Sequence, residues 1–298
     1  MSSFQKAERK KAKLRLAVSG PSGSGKTLAA LNIAKGIGGK IAVIDTENDS
    51  ASLYADRFDF DSMNMRPPYS PERFVSAIGE AVAAGYNVVI IDSSTHVWNG
   101  TGGVLDLLET VAKAKFRGNT WSAWSDLTPR YRKFIDAMLQ ANAHIIATTR
   151  SKTETAQQDS GNGKKQVVKL GMKSEQKDGF EYEFTVALDL IHDGHYATAS
   201  KDRTGLFEGD AKPVTVETGK MLKQWLESGV EAPEPEQTES VDTNFITEAQ
   251  AQELRDLAEK HGVNIAEFCK KGDIPMIEQL ESNRFSSAKG FIESQAAA

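Results

Sequence analysis

The chain has 298 residues, of which 39% are hydrophobic and 26% charged, and its net charge is -5. This size predicts one large α/β domain with room for a small second module, and no apolar run reaches the roughly 20 residues that a membrane-spanning helix needs. An acidic chain is not expected to coat nucleic acid over its whole surface, and a single cysteine, Cys269, excludes an internal disulfide and a cysteine-based zinc site.

The predicted elements begin after a basic N-terminal arm, residues 1–12. Lysines and arginines dominate this arm, and no apolar signal segment follows it, so we expect a cytoplasmic protein without membrane contact. Strands over 14–19, 41–45 and 88–92 then alternate with helices over 26–35, closed by Gly36, and 71–84. Such alternation predicts an α/β fold with a mostly parallel sheet between helices.

The following part of the chain mixes strands with a polar stretch. A helix over 128–140 leads to an apolar strand over 144–148, and the Lys- and Gly-rich stretch 151–178 is predicted to be a long mobile loop. Two strands, 182–191 and 195–200, are expected to form a hairpin around Asp193-Gly194. A helix over 218–228 closes the domain.

A domain boundary is predicted at residues 230–243, where prolines and acids occur with almost no apolar side chains, as in a solvated linker. The main domain then covers residues 13–229, and a small helical domain covers 244–298. In the latter, the segment Thr247 to Gln250 is a capping box ahead of a short amphipathic helix.

A glycine-rich motif, residues 20–27, lies between the first strand and the first helix and is predicted to be a phosphate loop. Its glycines would let backbone N–H groups turn inward around phosphate oxygens, while the helix directs its positive end at them. We expect the Lys26 side chain to reach the β and γ phosphates of ATP and the Thr27 hydroxyl to ligate Mg²⁺. The candidate nucleotide-binding residues are Gly20, Pro21, Ser22, Gly23, Ser24, Gly25, Lys26 and Thr27.

Two further strands end in acids. Asp92 follows Val88 to Ile91 and is the candidate that holds the magnesium ion through water. The strand that lies between the phosphate loop and Asp92 in the sequence ends in Ile44-Asp45-Thr46-Glu47. A carboxylate at this end, beside the γ phosphate, could deprotonate the attacking water. Spacing alone leaves open whether Asp45 or Glu47 merely caps the following turn.

In the order of these motifs, residues 13 to about 210 resemble the RecA-like recombinase ATPases. That family places its catalytic glutamate in a segment of the type Ile-Asp-Thr/Ala-Glu, so the resemblance implies a RecA-like P-loop NTPase core with Glu47 as catalytic base. The sequence departs from the family at Thr148 or Thr149, where the family has a glutamine that senses the γ phosphate.

The family also inserts a Lys-x-Lys pair at the γ phosphate of a neighbouring subunit. Lys201-Asp202-Arg203 is similar to that pair, which implies that Lys201 and Arg203 contribute to catalysis across the interface of a homo-oligomer, a ring or a filament. The alternative is that they are surface charges beside a turn. Phe4-Gln5-Lys6-Ala7 is similar to the Phe-x-x-Ala motif by which recombinases dock onto a neighbour, with a disordered tail as the alternative.

Single-stranded nucleic acid needs cations for its phosphates and aromatic faces for its bases. The stretch 150–178 supplies the cations, and Trp121 and Trp124 lie where the family has its first DNA loop, although their spacing also suits core packing. The candidate DNA-binding residues are Arg150, Lys152, Lys164, Lys165, Lys169, Lys173, Trp121 and Trp124.

With its short core, basic arm and added helical module, the chain most resembles the phage-encoded Sak-type ATPases, AAA-type phage nucleotide-binding proteins that anneal single strands. This resemblance implies a DNA-stimulated ATPase that anneals or pairs strands in homologous recombination, with a single-strand-binding protein as a possible further partner. Two alternatives stay open. One is a DNA motor or helicase loader, and the other is a nucleotide-gated binding module with little turnover.

Overall fold

The computed structural model describes residues 4, 6–159, 165–192, 195–230, 246, 248–272, 274, 276–277 and 280–294. The chain divides into two compact units, Met1–Glu231 and Ala232–Ala298. Within the described ranges, no helix is both long enough and apolar enough to cross a membrane.

The described residues of the first unit form a sheet of nine strands with the spatial order β3-β2-β4-β5-β1-β7-β8-β9, and β6 pairs with β5. The core strands β1 to β5 and β7 run parallel, whereas β5–β6, β7–β8 and β8–β9 are antiparallel. The mostly parallel sheet predicted from the sequence is confirmed. The strands are β1 (Arg15–Gly20), β2 (Ile41–Asp45), β3 (Asp61–Asn64), β4 (Val88–Asp92), β5 (His144–Asp159), β6 (Lys165–Ser174), β7 (Val186–Leu190), β8 (Tyr196–Asp202) and β9 (Lys212–Pro213).

Helices cover both faces of this sheet. Neighbouring residues of a strand point to opposite faces, and accordingly Ile90 belongs to the core beneath α1 and α6, while Ile91 belongs to the core beneath α2 to α5. Because both faces of the sheet are buried, apolar and polar residues do not alternate along β4. The helices are α1 (Lys26–Ile37), α2 (Pro71–Ala83), α3 (Thr95–Asn99), α4 (Val104–Lys115), α5 (Thr120–Gln140) and α6 (Val216–Glu227).

Gly36 does not close α1, as the sequence suggested, but lies inside it. A Cβ at Gly36 would stand 2.2 Å from the carbonyl oxygen of Val216, and a Cβ at Gly219 would stand 2.3 Å from that of Ile33. The two glycines therefore allow the backbones of α1 and α6 to touch. Close helix packing, rather than termination, is the reason for glycine here.

The mobile loop predicted over 151–178 is wrong for most of its described residues. β5 continues to Asp159 and pairs antiparallel with β6, so that Ser151 lies opposite Ser174 and Asp159 opposite Lys165. A two-stranded ribbon satisfies its backbone groups by pairing across the strands, and it can do so with a polar sequence. We refer to residues 151–159 with 165–174 as the β-arm.

Two other boundaries differ from the prediction. The helix expected over 128–140 begins at Thr120, where the side chain of Asn119 accepts a hydrogen bond from Ser122 N–H (3.2 Å), and it continues through Pro129. The strand expected from residue 182 begins at Val186, because Phe180–Glu183 forms a 3-10 turn. Asp193-Gly194, predicted as the hairpin turn, lies outside the described residues.

The basic arm is attached to the end of α6. Lys11 N–H donates to the carbonyl of Val230 and Val230 N–H donates to that of Arg9, both at 2.9 Å. The Arg9 guanidinium lies 4.0 Å from the ring centroid of Trp225, in a cation–π contact. Phe4, the first residue of the Phe-x-x-Ala segment, is 91% exposed.

Arg15, although close to the basic arm in sequence, is buried. Its guanidinium donates to the carbonyls of Leu139 (2.9 Å) and Ala141 (2.5 Å) at the C-terminal end of α5, and to that of Ala143 (2.7 Å) just before β5. Helix C-terminal carbonyls lack intrahelical partners and carry partial negative charge, so they hold the cation without a carboxylate. Burial lowers the pKa of Arg15 to about 10.

His144 lies beside Arg15 at the same end of the sheet, and its Nδ1 accepts a hydrogen bond from Leu14 N–H (3.0 Å). Nδ1 is therefore unprotonated. Burial, with the charges of Lys13, Arg15 and Lys223, lowers the pKa of His144 from 6.5 to about 4.

This lowered pKa predicts a loss of stability in mild acid. The unfolded chain takes up the proton near pH 6.5 and the folded chain only near pH 4, so the stability present above pH 6.5 is lost as the pH falls toward 4, by up to about 3 kcal/mol. His144→Asn keeps an acceptor for Leu14 N–H but does not titrate. Urea unfolding at pH 7.5 and pH 5 should show a smaller pH effect in the variant than in the natural protein. Equal pH effects in the two would contradict the assignment.

The second unit is a small helical domain. Its helices are α7 (Glu248–Lys260), α8 (Ile265–Lys271) and α9 (Phe285–Ser294). They enclose a separate core that includes Leu254, Phe268, Leu280 and Ile292, and Cys269 is buried. The capping-box residue Thr247 lies outside the described residues.

Candidate nucleotide-binding and catalytic site

The predicted phosphate loop connects β1 to α1. Gly23 and Gly25 have φ values of 77° and 86°, in the left-handed region that favours glycine. The Lys26 ammonium turns back into the loop and donates to the carbonyls of Gly20 (3.0 Å) and Pro21 (2.9 Å). Burial lowers the pKa of Lys26, and the charges of Asp92 and Glu47 oppose that shift. The loop thus concentrates backbone N–H groups, a helix N-terminus and one ammonium around a space suited to phosphates.

The two predicted magnesium ligands lie together. The Thr27 hydroxyl donates to Asp92 Oδ2 (2.6 Å), and the Thr148 hydroxyl donates to Asp92 Oδ1 (2.5 Å). Asp92 is 1% exposed, and burial raises its pKa while these two hydrogen bonds act to lower it. A divalent cation would offset the cost of this buried carboxylate, and hydroxyl and carboxylate oxygens are ligands that Mg²⁺ prefers. The residues therefore fit the ion. When bound, it supplies positive charge beside the phosphates.

Hydrogen bonds connect the ends of β2 and β4 next to the site. Parallel pairing places Asp45 opposite Asp92. Thr46 N–H donates to the carbonyl of Asp92 (2.7 Å), and Ser93 N–H donates to the Thr46 hydroxyl (2.9 Å). That hydroxyl also lies 2.7 Å from Nδ1 of His96. These bonds position the residue that follows, Glu47.

Asp45 and Glu47 have different roles in the structure. Asp45 is fully buried, and its carboxylate accepts hydrogen bonds from the N–H groups of Glu47 (2.6 Å) and Ala51 (2.8 Å). It is the residue that caps the turn. The Glu47 side chain instead lies at the cavity, where Oε1 accepts a hydrogen bond from the Ser93 hydroxyl (3.0 Å).

Arg150 binds the same carboxylate. Its Nε donates to Glu47 Oε1 (2.9 Å), and its terminal nitrogen pairs with Glu47 Oε2. Burial acts to raise the pKa of Glu47, but Arg150 and Ser93 outweigh it, so the pKa lies below its ordinary value. Glu47 is therefore ionised at neutral pH, as a general base must be, and it is held by an arginine.

The cavity bounded by these groups has a volume of about 700 Å³. The phosphate loop forms one wall, the end of β2 and Asp92 form another, and the base of the β-arm forms a third. Its lining consists of Ser22, Gly23, Gly25, Lys26, Thr27, Leu28, Glu47, Ser50, Tyr54, Asp92, Arg150, Ser151, Lys152, Glu175 and His195.

The residues predicted to bind DNA occupy several places. Arg150 and Lys152 line the nucleotide cavity, with Lys152 3.6 Å from Glu175, and Lys173 pairs with Asp178 (2.8 Å) at the base of the β-arm. Lys165 and Lys169 belong to β6, and Lys164 lies outside the described residues. The sequence did not predict the ion pair between the Arg150 guanidinium and Glu47, the candidate base.

The two tryptophans differ in exposure, although they lie three residues apart on α5. Trp121 is 86% exposed, whereas Trp124 stacks on Trp98 at a centroid distance of 6.0 Å and packs against the core. Of the two, Trp121 presents the free aromatic face that base stacking needs.

Lys201 and Arg203 are not among the residues that line this cavity. The Lys201 ammonium donates to the carbonyls of Tyr182 and Glu181, the latter at 3.4 Å. Arg203 is exposed and donates from its backbone N–H to the carbonyl of Thr185 (3.1 Å). Asp202 between them accepts hydrogen bonds from Thr204 and Phe207, so it shapes the following turn.

RecA-like recombinases have a glutamine that senses the γ phosphate where this chain has Thr148 or Thr149. Here the Thr148 hydroxyl donates a hydrogen bond to Asp92, and Thr149 is buried. His195, which also lines the cavity, was not predicted. It directly precedes β8, and neither its spacing nor its surroundings in the sequence mark it.

The main domain of the chain matches a known protein family. The family described as "AAA domain" matches residues 12–214, which include the phosphate loop, Glu47 and Asp92. No curated protein matches the chain. Membership implies ATP as the nucleotide, with Mg²⁺ as its usual cation. Since the matched region spans well over half of the 298 residues, this chain belongs to the AAA domain family of P-loop ATPases.

Proposed function

We propose that this chain is a DNA-stimulated ATPase that acts as a homo-oligomer on single-stranded DNA, annealing or pairing strands in the homologous recombination of a phage. A single-strand-binding protein is a further partner in this proposal. The observation that carries it is the ion pair between Arg150 and Glu47, because it joins the candidate base to the residue directly before the β-arm.

Arg150 immediately precedes the β-arm, with Lys152 and Lys173 at the arm's base. A guanidinium binds phosphate in the same bidentate manner as carboxylate. A DNA phosphate at the base of the arm would therefore compete with Glu47 for Arg150.

The Arg150 side chain can be reached from solvent for that exchange. It is 44% exposed, whereas the Glu47 side chain is 21% exposed and is the more buried partner of the pair. Once Arg150 leaves, burial raises the pKa of Glu47 with less opposition, so the carboxylate becomes a stronger base for the proton of the attacking water. DNA binding and turnover are thereby coupled through one side chain.

The exposed indole of Trp121 adds a stacking surface on another part of the same domain. The net charge of -5 restricts DNA contact to local surfaces such as these.

The test measures phosphate release from Mg·ATP with and without a single-stranded oligonucleotide, at several protein concentrations. We expect the rate per subunit to rise with DNA and with concentration. Annealing of complementary strands by the same protein would support the proposal. ATP-driven unwinding or helicase loading would favour a motor or loader, and ATP binding without turnover would favour a nucleotide-gated module.

Lys26→Ala is the matched control for this assay. Lys26 is the ammonium within the phosphate loop, and a hydrogen bond to a charged group contributes about 1.5–3 kcal/mol, so we expect ATP affinity to fall roughly 10- to 100-fold. DNA-stimulated turnover should be lost at ATP concentrations that saturate the natural protein. Unchanged affinity, measured by titration with a fluorescent ATP analogue, would remove the phosphate-binding role of Lys26.

A further inference from the structure

A histidine that lines the nucleotide cavity, next to β8, contacts the phosphate loop. Nδ1 of His195 lies 3.0 Å from the carbonyl oxygen of Ser24. A carbonyl oxygen only accepts, so Nδ1 carries the hydrogen in this bond. His195 and Ser24 are 171 residues apart in the chain, and only the fold brings them together.

The glycines of the loop leave room for this approach. A Cβ at Gly25 would lie 3.1 Å from Nδ1 of His195, and a Cβ at Gly23 would lie 3.2 Å from Nε2 of His192. Two imidazoles from the β7–β8 connection therefore lie against the loop where it has no side chains. Glycine at these positions meets two needs, the positive φ and the close approach of a ring.

His195 itself adopts an uncommon backbone conformation, with φ of 53°. A left-handed conformation costs a residue other than glycine on the order of 1 kcal/mol, and asparagine tolerates it best. Such conformations persist where the surrounding structure maintains them, and they occur often at ligand sites. Here the conformation accompanies the contact between the imidazole and Ser24.

We propose that His195 is a positioning residue for the phosphates of the nucleotide, a role that rests on the proposed ATP-binding function. In a phosphate loop the N–H groups converge on the anion, so carbonyl groups such as that of Ser24 need partners elsewhere. The His195 bond holds the loop in this arrangement before the nucleotide arrives. A preorganised loop loses less conformational freedom on binding, so the bond favours nucleotide affinity over the chemical step.

The test compares two variants that both accept a positive φ. His195→Gly removes the donor, whereas His195→Asn retains one, because the Asn amide nitrogen occupies the position of Nδ1 relative to Cβ. We expect the Kd for a fluorescent ATP analogue to rise about 3- to 10-fold in His195→Gly and to stay within about twofold of the natural protein in His195→Asn. The kcat of both should be unchanged.

Three outcomes would overturn the inference. Natural affinity in His195→Gly means that the bond does not matter, equal losses in both variants mean that the ring matters and not the donor, and a loss confined to kcat means a role in the chemical step. If His195→Gly does not fold, His195→Ser, whose hydroxyl is too short to reach Ser24, replaces it in the same titration. Failure of the natural protein to bind the analogue would instead contradict the proposed function.

Discussion

ATP turnover is expected to fall by about 10²- to 10⁴-fold when Glu47 is replaced by glutamine, while ATP binding persists. Glu47 lies at the cavity and is kept ionised by Arg150 and Ser93, so it is placed and charged as a general base requires. Glutamine has nearly the same shape but cannot accept the proton of the attacking water. Phosphate release under single-turnover conditions and a binding titration measure the two steps separately.

Glu175→Gln is the control for this prediction. Glu175 lines the same cavity, but its carboxylate faces Lys152 (3.6 Å) at the base of the β-arm. Its loss should leave turnover within a few-fold of the natural rate. If Glu175→Gln is inactive and Glu47→Gln is not, then Glu175 is the base and Glu47 is not.

The second large effect is expected from Lys201→Ala/Arg203→Ala, in which assembly-dependent hydrolysis should fall roughly 10³-fold, as for loss of an arginine finger. Neither side chain lines the cavity of its own subunit, so the isolated subunit should bind ATP with nearly unchanged affinity. Hydrolysis rates across a range of protein concentrations, together with a binding titration, measure both.

Single variants separate local structure from action across the interface. Lys201 donates to two carbonyls of the 180–183 turn, and its loss could disturb that turn. Arg203 is exposed, and its hydrogen bond to Thr185 comes from the backbone N–H, which alanine retains. Arg203→Ala is therefore the cleaner test. Full activity in Arg203→Ala with a defect in Lys201→Ala would return the pair to a structural role.

Mixing two inactive proteins tests action in trans directly. A Glu47→Gln subunit supplies the cations, and a Lys201→Ala/Arg203→Ala subunit supplies its own base, so activity should reappear in mixed assemblies. If co-assembly is demonstrated and no mixture regains activity, the two cations do not act on a neighbour's ATP.

Several features of this protein could be predicted from the sequence because they depend on adjacent residues. A phosphate loop is eight contiguous residues between a strand and a helix, and its function resides largely in its own backbone. Asp92 could be found in the same way, since an acid that ends a buried strand lies at the carboxyl edge of a parallel sheet.

Other features depend on residues far apart in the chain. Glu47 and Arg150 are separated by 103 positions, and they meet because β2 and β5 both flank β4: β2 ends at the edge of the sheet where β5 continues beyond its parallel neighbours. The sequence predicted a mobile loop where residues 151–159 and 165–174 form a two-stranded ribbon. A polar composition indicates solvent exposure, and both a loop and a two-stranded ribbon are exposed to solvent.

By itself, then, the sequence determined the parallel α/β architecture and predicted the phosphate loop, since both follow from local patterns of glycine, charge and hydrophobicity. Only the tertiary structure decided that Arg15 is buried against backbone carbonyls, that Arg150 pairs with Glu47 and that His195 contacts the phosphate loop. The physical reason is that a charged or polar side chain takes its role from its partners, and strand order rather than sequence distance selects those partners.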